Sequence, residues 1–167
     1  MPSASTQTDA SNGALVRRLF DLLNAQDIPT LRHYWTEDTV DRFPDRTCRG
    51  AAEVAAYFEA AFAAMPDWHM EVMSLVDGGE EVFVRWRLTG THRGTIMGIA
   101  PTGRRIKMDG IDHFVIRDGK VVSAFVVFDQ MEYARQIGML PPQGSALEEA
   151  MKLVFNGVTK FIHWLRR

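Results

Sequence analysis

The feature that most constrains this chain is a change of apolar period at Trp68. Before it, Leu15, Val16, Leu19, Phe20, Leu22 and Leu23 recur at helical spacing, and Asp27 with Pro29 opens a second short helix through Leu31, Tyr34 and Trp35. Residues 39–43 alternate briefly like a strand, and Gly50 precedes an Ala-rich helix over residues 51–64 that carries Tyr57, Phe58 and Phe62 and is closed by Pro66. After Trp68 the period is two: strands are predicted over 68–76, 81–89, 104–117 and 121–128, with Gly78-Gly79 and Asp118-Gly119 at the turns. A two-residue Asp-Gly loop needs positive φ at both positions, so it pairs Arg117 with Lys120 and sets the register upstream. Helices first and an antiparallel sheet afterwards is the α+β arrangement. Its expected form is a strongly curved antiparallel sheet, with the N-terminal helices over its concave face enclosing a pocket.

Composition narrows the function classes. The 19 Lys and Arg against 21 Asp and Glu leave a net charge of -2, which offers no basic field to a phosphate backbone, so nucleic acid is not expected as a partner. Cys48 is the only cysteine, which excludes an intrachain disulfide and a thiol metal cluster and fits a cytoplasmic location. The histidines at 33, 69, 92, 113 and 163 show no paired ligand spacing, and there is neither a phosphate-binding glycine loop nor a nucleophile elbow; no metal and no cofactor is expected. Residues 1–12, rich in Ser, Thr and Ala without a charged start or an apolar run, are expected to be a disordered tail.

Several blocks carry a family resemblance: Asn24-Ala25-Gln26-Asp27, Gly90-Thr91-His92-Arg93-Gly94, the run from Met97 to Gly103, Arg117-Asp118-Gly119-Lys120, and Asp129 through Gly138. Together, over residues 13–142, they resemble the SnoaL-like polyketide cyclases of the nuclear transport factor 2-like superfamily. The resemblance implies a cone-shaped α+β barrel, often dimeric through the outer sheet face, with a mostly apolar pocket for a hydrophobic small molecule. The superfamily includes cyclases, ketosteroid isomerases, epoxide hydrolases and proteins without catalysis, so the fold alone does not choose among them. In the cyclases, an Asp on the last strand works with a His on the strand before it. The corresponding positions here hold Val126 and Asp112. The epoxide hydrolases also need a carboxylate at the Val126 position, and the isomerases' first-helix Tyr falls on Leu19.

The residues themselves offer another acid/base set. With an unbulged hairpin, Asp112, Phe114 and Ile116 face the same way as Val121, Ser123, Phe125, Val127 and Asp129, which puts two acids among phenylalanines. A carboxylate desolvated by aromatic rings disfavours its charged form and is suited to proton transfer near neutral pH. Asp129 equally fits an N-cap of a helix starting at Gln130. His113 is the third catalytic candidate, or a core histidine satisfied by one hydrogen bond, and a β-bulge in either strand would present His113 and Val126 instead. Asp41 and Phe43 are expected at the pocket mouth, with Trp68, His69, Trp86, His92, Phe114 and Phe125 completing the candidate substrate-binding set. Arg85 and Arg87 alternate away from Trp86 and read as a solvated or interface pair.

Beyond Pro141-Pro142-Gln143-Gly144, residues 143–167 form a separate segment whose Leu147, Met151, Val154, Val158, Phe161, Ile162 and Leu165 make an amphipathic helix. That stripe is expected to be buried on the domain or across a homodimer, and with few basic residues on its polar face a membrane surface is disfavoured. The function expected from all this is cofactor-free acid/base catalysis on a polyketide, terpenoid or steroid-like substrate, giving isomerisation, cyclisation or hydration. The alternative is a non-catalytic protein of the same fold that binds a hydrophobic ligand.

Overall fold

Helix α1 (Asn12–Asn24) opens the computed structural model, which describes residues 11–166. Ser11 caps it by accepting from the Ala14 N–H at 3.2 Å, while the Asn12 side chain donates to the Gly79 carbonyl at 2.7 Å and Asp77 accepts from the Gly13 N–H at 2.7 Å. Ser11 and Asn12 are thus built into the fold, contrary to their expected place in a disordered tail, and the remainder of that expected segment, residues 1–10, lies outside the described residues. A single turn, α2 (Ile28–Leu31), follows, with Asp27 accepting from the Thr30 N–H at 3.1 Å, and Arg32–Tyr34 tighten into a 3-10 turn. Trp35 does not extend this helix. It begins strand β1 (Trp35–Arg42), buried against the Phe58 ring at 5.9 Å between centroids. Strand β2 (Thr47–Arg49) turns back on β1 and leads into α3 (Gly50–Ala64).

The period-two half folds as β3 (His69–Asp77), β4 (Glu81–Thr91), β5 (Arg105–Arg117) and β6 (Lys120–Phe128), followed by α4 (Gln130–Gln136) and α5 (Ala146–Leu165). The sheet order is β2-β1-β6-β5-β4-β3, a curved open sheet of the α+β class. One pairing departs from the expected antiparallel pattern: β1 runs parallel to β6. No hairpin joins these two strands, and the connection between them spans the rest of the sheet, so their relative direction is not fixed by a turn. Helices α1 and α3 cover one face, over a core that includes Val16, Phe20, Val54, Val82, Val84, Ile106, Ile116 and Val121.

The β5–β6 turn has the conformation the sequence requires, with Asp118 at φ 50°, Gly119 at φ 70° and Arg117 paired with Lys120. The register then slips by one residue. Ile116 pairs with Val121 but Val115 pairs with Ser123, leaving Val122 as an extra residue in β6. Thr39 secures the strand beside this bulge, its hydroxyl donating to the Val121 carbonyl at 2.7 Å in a fully buried position. Beyond Val122 the faces of β6 exchange: Ala124 is buried, whereas Phe125 and Val127 are exposed beside Phe83 and Ile111 on the outer side of the sheet.

Helix α5 is the second departure. Its first turn is anchored by Ser145, which caps it, and by Glu148, which accepts from Arg135 at 2.9 Å, but none of its residues is buried within the chain. The expected packing of its apolar stripe on its own domain is not found. Among the described residues no helix is long and apolar enough to cross a membrane. Placing a Cβ at the left-handed Gly119 costs about 1 kcal/mol. Gly119→Ala is accordingly expected to lower the melting temperature by about 2–4 °C in a circular-dichroism melt.

Candidate active site

Between the concave sheet face and the helices lies an apolar cavity of about 80 Å³. Strands β4, β5 and β6 supply Trp86, Leu88, Met108, Asp112, Val126 and Phe128; α1 and α3 add Leu23, Tyr57, Phe58 and Ala61. Phe43, Met65, Trp68, Met70, Ile96, Met97 and the α4 residue Tyr133 close it. Outside it runs a more polar groove of about 400 Å³, lined in part by Asp45, Arg46, Thr47 and Glu53, and the two spaces share Tyr57, Ala61, Ile96 and Met97 as a common wall.

Asp112 is the carboxyl of the cavity, and its setting is built by its neighbours on the sheet. Trp86 pairs across the strands with Gly110, where an added Cβ would meet the indole carbons at 2.2–2.7 Å. The missing side chain lets the indole lie against the backbone there, and its Nε1–H donates to Asp112 Oδ1 at 2.7 Å. Asp112 is 7% exposed. Burial pushes its pKa up to about 7, opposed by the Trp86 hydrogen bond and aided by the charge of Asp41. Asp41, in the next strand but one, is likewise raised to about 7 by burial, against the Ala124 N–H that it accepts. Its Oδ1 has no partner among the described residues. It does not line the cavity: contrary to the expected place at the mouth, it is buried within the sheet.

The bulge decides where the remaining candidates stand. Val126 faces the cavity directly across from Asp112, while His113 and Phe125 pair on the outer face. There His113 stacks on Phe83 at 4.3 Å and lies 3.2 Å from Glu81. Asp129 is not brought to Asp112 either. It is exposed and caps α4, accepting from the Glu132 N–H at 2.9 Å. His69 is exposed at the start of β3. His92 is fully buried but outside the cavity lining: its Nδ1 lies 3.1 Å from the Thr102 hydroxyl, and its backbone bonds to Arg104 and Gly103 hold the loop between β4 and β5. Phe114 is a core residue behind the lining. Of the expected set, Asp112, Phe43, Trp68 and Trp86 meet in the cavity.

Sequence reasoning missed Tyr133. It follows the Asp129 cap by four residues, and the helical recurrence Tyr133, Ala134, Ile137 after that cap is the signal for an inward face. It also missed Tyr57 and Phe58 as lining residues, although it placed both on the Ala-rich helix that forms α3. Among the described residues no cluster of three or more His, Cys, Asp or Glu is arranged to hold a metal ion.

Residues 13–137 match the family described as SnoaL-like polyketide cyclase. Among solved structures, AclR from Streptomyces galilaeus, to which a hydroxylase role is ascribed, is 29% identical with a TM-score of 0.68, over 77% of this chain and 96% of that one. IdmH from Streptomyces antibioticus, ascribed a polyketide cyclase role, is 26% identical with a TM-score of 0.65, over 74% and 96%. A SnoaL-like protein from Jannaschia sp. CCS1, at 24% identity and a TM-score of 0.73 over 84% and 100%, shares the fold. No curated protein matches the chain significantly.

The two raised carboxyls make stability depend on pH in a defined direction. Between the ordinary value of 3.8 and about 7, the native chain holds protons that the unfolded chain has released, so stability falls as pH rises through that window. The slope is at most about 1.4 kcal/mol per pH unit for each carboxyl. Thermal melts at pH 5 and pH 8 should show the wild type less stable at pH 8, with a smaller difference in Asp112→Asn.

Proposed function

Since the chain belongs to the SnoaL-like polyketide cyclase family, we propose that it is an enzyme moving a proton on a hydrophobic, ring-bearing small molecule without a cofactor, with Asp112 as the acid/base. The observation that carries this reading is a carboxyl buried in an apolar cavity and poised near neutral pH. As a carboxylate, Asp112 takes a proton from carbon beside a carbonyl. The C–H electron pair becomes a C=C bond, the carbonyl π pair moves to oxygen, and the neutral acid returns the proton to the same or another atom. Isomerisation and ring closure both follow from that cycle; in hydration the neutral acid protonates an alkene carbon, a solvent water forms the C–O bond at the other carbon, and the proton that water releases returns to the carboxylate. Asp112 takes the place of the family's strand histidine and Val126 that of its aspartate, so one carboxyl performs both halves of the transfer.

A second reading, a non-catalytic ligand-binding protein, is favoured by the same valine, which leaves the acid without a titrating partner opposite it. A probe with acidic C–H bonds separates the two. Wild-type protein in D₂O is expected to speed deuterium incorporation beside the carbonyl of 2-indanone, followed by NMR. Asp112→Asn should slow that exchange at least about 100-fold, whereas Asp129→Ala should keep it and lose about 1 kcal/mol of stability as a removed cap. Exchange retained in Asp112→Asn refutes the assignment, and binding of 2-indanone without exchange in the wild type favours the ligand-binding reading.

The proposed assembly is a cytoplasmic homodimer through the outer sheet face. Its support is the group Phe83, Ile111, Phe125 and Val127, each 45–50% exposed, together with an α5 whose Leu153, Phe155 and Trp164 are 69–74% exposed. Apolar residues occupy roughly half the circumference of α5, wider than the stripe a single surface contact needs. Light scattering is expected to give a dimer for the full chain and a monomer for Phe125→Glu. Deleting residues 143–167 should lower the melting temperature of the dimer, and an unchanged melt would make α5 dispensable to the assembly.

A further inference from the structure

Five buried side-chain polar atoms lack a hydrogen-bond partner among the described residues, and two of them, Trp68 Nε1 and the Tyr133 hydroxyl, belong to residues lining the Asp112 cavity. They stand on different walls. Trp68 packs edge-on against Phe62 of α3 at 5.5 Å, while Tyr133 packs against Phe128 of β6 at 6.4 Å. Tyr133 is 4% exposed. Packing does not require the Tyr133 hydroxyl, since phenylalanine in its place fills the same ring space without a buried unpaired oxygen. Leaving a donor unpaired in an apolar wall costs stability, and such a cost persists where a ligand supplies the partner.

We infer that Trp68 Nε1–H and Tyr133 O–H are the donors that read oxygen atoms of the substrate, and that the cavity selects apolar ring compounds bearing a carbonyl over their hydrocarbon counterparts. The inference rests on the proposed proton transfer at Asp112 and deepens it. When Asp112 removes the neighbouring proton, negative charge develops on the carbonyl oxygen, and a neutral donor bonded to that oxygen strengthens its bond at that moment. Both groups keep their protons for the purpose: an indole N–H does not ionise, and burial pushes the Tyr133 hydroxyl up to about 12. The donors are neutral and the acid is separate from them, so recognition and proton transfer are carried by different side chains.

The test compares 2-indanone with indane, which has the same rings and no oxygen, by calorimetry on the full chain. The wild type is expected to prefer 2-indanone. Tyr133→Phe should weaken 2-indanone about fivefold, leave indane unchanged, and melt no lower than the wild type, because it removes an unpaired hydroxyl. Trp68→Phe should reduce the ratio of the two affinities by a similar factor. The carbonyl stretch of bound 2-indanone, lowered in the wild type, should move back in Tyr133→Phe. Equal affinity for both probes in the wild type overturns the inference, as does a Tyr133→Phe variant that loses both probes alike or melts lower, the mark of a structural hydroxyl. The two readings fail separately: a Tyr133-dependent preference for 2-indanone without deuterium exchange leaves the donors standing and removes proton transfer. Binding of neither probe overturns both.

Discussion

A carboxyl that has given up water for one indole N–H governs this site. Charge on Asp112 is opposed by burial and supported by Trp86 alone among side chains, so the proton is held far more tightly than on a solvated aspartate. That balance depends on backbone geometry one strand pair away. Gly110 lies opposite Trp86, and only the absence of a side chain there brings the ring close enough to aim its N–H two residues along β5. A glycine with ordinary backbone angles thus sets the proton affinity of an acid it does not touch.

Much of the fold was legible because its signals are local. The change of period marked where helices give way to strands, and Asp118-Gly119 fixed the first pair of the hairpin. The parity of β6 was not legible, since Val121, Val122 and Ser123 are all ordinary strand residues and neither Gly nor Pro marks the extra one. This one residue moved Phe125 and Val127 to the outer face and Val126 to the cavity. Asp41 was misplaced for a different reason. A short alternating run looks like an edge, but β1 lies between β2 and β6, where its inward residues are covered. Asp129 kept the local role available to any aspartate before a helix, and a short α4 hid the inward tyrosine that follows it.

The outer face follows different physics from the cavity. Asp109 sits between Arg87 at 2.7 Å and Arg85 at 2.9 Å, and their hydrogen bonds hold it down at about 2. Exposed pairs of this kind contribute little to stability. The sheet carries two unlike chemistries on its two faces. Burial on the inward face raises the proton affinity of Asp112, while the outward arginines lower that of Asp109, three residues away on the same strand.

Four methionines, Met65, Met70, Met97 and Met108, stand in the wall of a space that holds only about 80 Å³. Their unbranched, polarisable side chains rearrange at low cost, so the room available is set by the guest as much as by the protein. A lining of this kind tolerates many outlines. Discrimination then falls to the few fixed polar points, and variants of this chain that differ in what they accept are expected to differ at those points rather than in the bulk of the aliphatic wall.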